Sequence, residues 1–103
     1  MKLLKIIFFI ILTSGNLFAN TDYFNEGLLF YEKNDLNKAK FKFEQDLVFN
    51  PKNEEAIYNL AKLKFKESDF TGSKKLIYQL LTFCKNYCQK SEKLKIEIEN
   101  SLK

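Results

Sequence analysis

The sequence predicts an all-α fold, a stack of helical hairpins, and three observations carry that reading. The stretch from Tyr23 to Leu81 is written twice, 34 residues apart: Tyr23 answers to Ile57, Gly27 to Ala61, Asp35 and Leu36 to Asp69 and Phe70, Ala39 to Ser73, Phe43 to Ile77 and Leu47 to Leu81. Repetition at periods of about 20 to 50 residues marks stacked supersecondary units. Within each copy the apolar residues recur at three- and four-residue spacing, the period of an amphipathic helix. Turn-forming pairs divide the copies, with Asn34-Asp35, Asn50-Pro51 and Ser68-Asp69 standing between the apolar runs.

The N-terminus reads as a separate piece. Lys2 and Lys5 lead into an apolar run over residues 6–12, followed by Thr13, Ser14, Gly15 and Asn16 and then by Leu17, Phe18 and Ala19. A basic start, a short apolar core and a small terminal residue describe a secretory signal peptide over residues 1–19, cleaved after Ala19. The alternative is an anchor that stays attached, but an apolar run this short falls well below the roughly 20 residues that span a bilayer. No cysteine lies near the cleavage point, which argues against a lipid anchor. The expectation is a mature domain over residues 20–103, with no membrane span after leader cleavage, in the periplasm or outside a bacterial cell.

Asn20, Thr21 and Asp22 offer capping side chains for a first helix that runs to about Lys33, with Tyr23, Gly27, Phe30 and Tyr31 at helical spacing. Gly27 in its middle costs about 1 kcal/mol relative to alanine and calls for a close neighbour as its reason. After the Asn34-Asp35 turn, the second helix spans Leu36–Phe49 with a stripe of Leu36, Ala39, Phe43 and Leu47, widened by Phe41 and Val48. Asn50-Pro51 ends it, because the residue before proline is pushed out of the helical region. Asn53 then caps a third helix whose first turn carries Glu54 and Glu55 at the positive end of the helix dipole. Ile57, Leu60, Ala61 and Phe65 carry that helix to about Lys66. The spacing predicts a fourth helix over residues 71–84, packed through Leu76, Ile77, Leu80 and Leu81. Asn86 lies in the next break, and Leu94, Ile98 and Leu102 mark a fifth helix among lysines and glutamates.

Tyr23, Gly27, Phe30, Ala39, Phe43 and Pro51 at this period resemble the tetratricopeptide repeat family. In the second copy Ile57, Leu60, Ala61, Ser73 and Ile77 fall in register, whereas Lys64 stands where an aromatic is usual and Lys85 where the proline is. The resemblance covers residues 20 to about 87. It implies an α-α superhelix with one repeat over about 20–53, a second over about 54–87 and a capping helix over about 88–103. It also implies that Ala39 faces Gly27, small against small. A capping helix would keep the last apolar face out of water, although two repeats are fewer than the about three that such a stack usually needs.

In that family the first helix of each repeat lines the concave side, where ligand peptides lie. The implied groove positions are Thr21, Phe24, Asn25, Leu28, Tyr31 and Glu32 in the first helix, and Glu55, Tyr58, Asn59, Lys62, Phe65 and Lys66 in the third. Aromatics give contact area at little cost in rotamer freedom, and asparagine bonds a peptide backbone. The competing reading is that these aromatics are interhelical packing. Some family members grip a terminal carboxylate through lysines, asparagines and an arginine. Asn59 matches one clamp position, but Phe24 and Leu28 replace a lysine and an asparagine, so an apolar or amphipathic segment suits this face better.

Cys84 and Cys88 are four apart in a chain destined for an oxidising compartment. On one straight helix their Cβ atoms would stand about 5 to 6 Å apart, beyond the roughly 3.5 to 4.5 Å a disulfide spans. Pairing therefore requires a break at Asn86 and Tyr87, where the repeat phase places a turn, and the expectation is a Cys84–Cys88 disulfide; free thiols or a bond between chains are the alternatives. Such a five-residue ring contributes roughly 2 kcal/mol in the chain-entropy model.

Composition narrows the function. The chain has no histidine, which removes the commonest general base and the commonest neutral metal ligand. It has no arginine, the residue that forks onto phosphates and base edges, and half of its formal charge of +4 belongs to the leader. The expectation is an exported adaptor, not an enzyme, without cofactor, metal or nucleic-acid partner, that binds a segment of another envelope or secreted protein. Two alternatives stand beside it: a self-associating homodimer, and a thiol-disulfide factor using Cys84 and Cys88.

Overall fold

The computed structural model describes residues 22–103, so the expected leader over residues 1–19 and the positions Asn20 and Thr21 lie outside the described residues. Those residues form five helices and no strand: α1 Tyr23–Glu32, α2 Leu36–Phe49, α3 Glu54–Lys66, α4 Phe70–Leu81 and α5 Cys88–Leu102. The protein is all-α. Each helix packs on its neighbours in sequence, and α3 also touches α5.

Side chains at the helix starts explain the boundaries. Asp22, Asp35, Asn53 and Asp69 each accept a hydrogen bond from the backbone N–H three residues on, at Asn25, Lys38, Ala56 and Gly72. The turns ending α1 and α3 are built alike. Asn34 and Ser68 take φ of 61° and 66°. Asp35 N–H donates to the Phe30 carbonyl at 2.9 Å and Asp69 N–H to that of Lys64 at 2.8 Å, while Asn34 and Ser68 donate to Tyr31 and Phe65 at 3.0 Å. Both are Schellman endings, in which a left-handed residue satisfies the last carbonyls. They stand 34 residues apart, at the period of the sequence repetition.

Two apolar cores run through the stack. Ala39, Phe43, Leu60 and Leu63 form one between the first hairpin and α3. Ile57, Ala61, Ile77, Leu80, Leu94 and Ile98 form the other, between α3, α4 and α5. At Gly27 the nearest side chain is the Phe43 ring: a Cβ there would sit 2.7 Å from two ring carbons. In the second hairpin the buried Ser73, which answers to Ala39, donates its hydroxyl to the carbonyl of Ala61, which answers to Gly27, at 2.7 Å.

Three expectations need correcting. Phe41 and Val48 do not widen the core stripe of α2; they are 57 % and 76 % exposed, because they lie on the pole opposite Ala39 and Phe43. Helix α4 stops at Leu81, not Cys84, with Thr82 turning back to hydrogen-bond the Gln79 carbonyl at 2.6 Å. Leu102 is exposed at the end of α5, whose buried residues are Ser91, Leu94 and Ile98.

Candidate partner-binding face

The exposed side of α3 presents Tyr58, Lys62, Phe65 and Lys66, since its opposite side is spent on Ala56, Ile57, Leu60, Ala61 and Leu63 in the core. On α1 the same side carries Tyr31, half-buried against the first core. The structure joins these positions through lysine and tyrosine. The Lys62 ammonium stands 5.9 Å from the Tyr31 ring centre and 5.5 Å from that of Tyr58, and Lys66 stands 5.1 Å from Tyr31. Beyond Tyr58 lies a residue the groove positions did not include, Tyr87, with ring centres 5.5 Å apart and Lys90 over its outer side at 5.0 Å. The result is a row of three tyrosines crossing from α1 over α3 to the start of α5, with lysines on it.

Among the described residues, Lys62, Lys66 and Lys90, like most of the lysines, have no carboxylate within ion-pair distance; Lys38, Lys40, Lys42 and Lys64, which lie off the row, each have one. A lysine over a tyrosine face is held by the ring quadrupole for about 0.5–1 kcal/mol at exposed sites, leaving its donors free for an acceptor. Burial, then the Glu97 carboxylate, pushes the Tyr58 hydroxyl above its ordinary pKa of 10.0; burial and then Glu55 do the same for Tyr87. Both phenols are therefore neutral donors at physiological pH.

The other groove positions are not all alike. Phe24 is half-buried against Phe43, ring centres 6.0 Å apart, and Leu28 packs beside it on the same core. Phe65 leans edge-on against Phe70 at 5.3 Å and on the second core, so much of its surface serves packing. Asn25 is exposed, with its amide turned to the Asp22 carboxylate. Asn59 is half-buried on α3. The face thus centres on Tyr31, Tyr58, Lys62 and Lys66, extended by Tyr87 and Lys90. Phe24 and Leu28 are half-buried against the first core, as Tyr31 is.

The connection that carries Tyr87 is held tightly. Cys84 and Cys88 are joined by a disulfide, Cα atoms 5.4 Å apart, across the break between α4 and α5. From α3, Glu54 Oε1 accepts hydrogen bonds from the backbone N–H groups of Lys85, Asn86 and Tyr87. The Lys85 bond is the largest cause drawing the Glu54 carboxyl below its ordinary 4.5. Sequence reasoning placed Glu54 only at the dipole of its own helix. A separation of 31 to 33 residues, close to one repeat, was the signal that it faces the next unit.

A cleft of about 690 Å³ lies between the start of α1 and the α2–α3 link, lined by residues that include Phe24, Asn25, Asp46, Phe49, Asn50 and Asn53. Buried Asp46 accepts from the Asn50 and Asn53 side-chain amides at 3.1 and 2.8 Å, so its oxygens are spent on fixing the α2–α3 link. Among the described residues, no group of three or more Cys, Asp or Glu side chains is placed to hold a metal ion, and no helix is long and apolar enough to cross a membrane. Comparison with protein-family models returns no match, and comparison with curated proteins returns none either.

Proposed function

We propose that this chain is an exported adaptor of the tetratricopeptide kind, which binds an amphipathic segment of another envelope or secreted protein across α1, α3 and the start of α5 and carries out no catalysis. The observation that carries the reading is the row of Tyr31, Tyr58 and Tyr87 with three lysines free of carboxylate partners. Tyrosine and lysine at the centre of a face supply apolar area, neutral donors and positive charge together, which suits a helix or extended segment with acidic side chains. The like-built turns ending α1 and α3 support the repeat reading. The leader over residues 1–19 and the disulfide support export.

The test is a crosslinked pull-down with the chain from residue 20, tagged after Lys103. The wild type recovers one dominant partner, and Tyr58→Ala with Lys62→Glu loses it while keeping its helical circular dichroism. Unchanged recovery by the folded variant would show that the partner binds elsewhere.

Self-association is the second reading, favoured by the exposed Phe41 and Val48 on the outer pole of α2. Exposed apolar side chains that join into one patch mark interaction surfaces. Light scattering that stays at monomer mass up to millimolar concentration removes it.

A further inference from the structure

Helix α5 begins without a capping side chain of its own, since Tyr87 at its N-cap makes no side-chain bond to the first turn. The anion its amides need comes from α3. Three successive N–H groups, of Lys85, Asn86 and Tyr87, converge on one carboxylate oxygen of Glu54 at 2.8, 3.1 and 3.2 Å. Successive amides aimed at one point form an anion-binding nest. The same three residues are the ones enclosed by Cys84 and Cys88.

A nest forms only when the backbone is curled so that neighbouring N–H dipoles point the same way, against their mutual repulsion and against chain entropy. The disulfide limits the shapes open to residues 85–87, and the carboxylate attracts the amides once they converge. Both favour one loop shape. Two effects that favour the same state are thermodynamically coupled, and the coupling is reciprocal.

We propose that the Cys84–Cys88 bridge and Glu54 form one redox-sensitive clasp that fixes the first turn of α5, and with it Tyr87 and Lys90, against α3. A dithiol reductant opens it: two electrons and two protons pass to the bridge, the S–S bond breaks, two cysteine thiols form, and the dithiol leaves as its own disulfide. Both cysteines are half-buried and Lys85 and Asn86 between them are exposed, so the bridge lies at the surface. Freed of the bridge, residues 85–87 spread, and the bonds to Glu54 weaken together. The remainder of α5 stays docked through Leu94 and Ile98 in the second core. The change is therefore confined to the first turn. For the binding face this inference rests on the function proposed above: reduction withdraws the Tyr87 end of the tyrosine row and leaves Tyr31 and Tyr58 in place.

The test uses the whole domain and needs no partner, so it stands or falls apart from the binding reading. The thiol-disulfide equilibrium is measured against a dithiol buffer for the wild type, Glu54→Gln and Glu54→Ala, together with amide hydrogen exchange in oxidised and reduced protein. The clasp predicts that Glu54→Ala makes the bridge about fivefold or more easier to reduce, with Glu54→Gln between it and the wild type. It also predicts that reduction strips protection from the amides of Lys85, Asn86 and Tyr87 while those of Leu94 and Ile98 keep theirs. An unchanged equilibrium in Glu54→Ala, or amides of residues 85–87 that stay protected after reduction, overturns the clasp. Loss of protection at Leu94 and Ile98 overturns the confinement to the first turn.

Discussion

Single residues decide where this chain bends and how closely its helices approach. Ser68 holds φ of 66° with a side chain that disfavours that region by about 1–2 kcal/mol, whereas asparagine at the equivalent position 34 tolerates it better. Ser68→Gly is expected to raise stability by up to about 1 kcal/mol in urea titration, the relief exceeding the entropy a glycine adds to the unfolded chain. Gly27→Ala is expected to do the reverse. Helix propensity favours alanine by about 1 kcal/mol, but the new methyl would sit 2.7 Å from the Phe43 ring, and overpacking of this kind costs about 1–3 kcal/mol. Glu54 gives a pH signature. Its carboxyl is held below 4.5 by the amides of Lys85, Tyr87 and Asn86, so its contribution is complete above that pH and is lost as pH falls through the lower folded value. Glu54→Gln is therefore expected to lower the melting temperature at pH 7 and to match the wild type once the pH is well below 4.5.

At the scale of elements, the helices were legible where a local rule decides them. The start of α2 at Leu36 and its end at Phe49 follow from Asp35, Asn50 and Pro51, and the end of α3 follows from the Ser68-Asp69 turn. The end of α4 was not legible. Residues 82–84 continue a helical spacing, yet the helix stops at Leu81; the Cys84–Cys88 pair is a local signal for a break further on, while the Glu54 carboxylate that holds the backbone of residues 85–87 acts from outside the local window. The exposure of Phe41 and Val48 was missed for a related reason: an apolar residue on a helix says that it can be buried, and only the packing direction of α1 and α3 says which pole is. Two α2 variants separate these roles. Phe43→Ala, at a fully buried ring, is expected to cost roughly 3–5 kcal/mol, while Phe41→Ser on the outer pole is expected to change stability by less than about 0.5 kcal/mol. Denaturant titration of the pair checks both.

For the whole molecule, the sequence contained the all-α class and most of the centre of the face. Tyr31, Tyr58, Lys62 and Lys66 were positions on the predicted groove, and the structure brings them together. Tyr87 and Lys90 were not, because they reach the row across a break whose shape is set by contacts one repeat away. Phe24, Leu28 and Phe65 also matched the groove by spacing, and like Tyr31 and Tyr58 they are half-buried against the cores; periodicity places such residues without saying how much of each side chain is left for a partner. The central claim is that the tyrosine row, and not the outer pole of α2, meets another protein. Site-specific photo-crosslinking in the source cell tests it most directly, with the crosslinking residue at position 62 in one variant and at position 41 in the other. The account predicts a single adduct with a different protein from position 62 and none from position 41. Adducts from position 41 alone, or adducts only with a second copy of this chain, would contradict it.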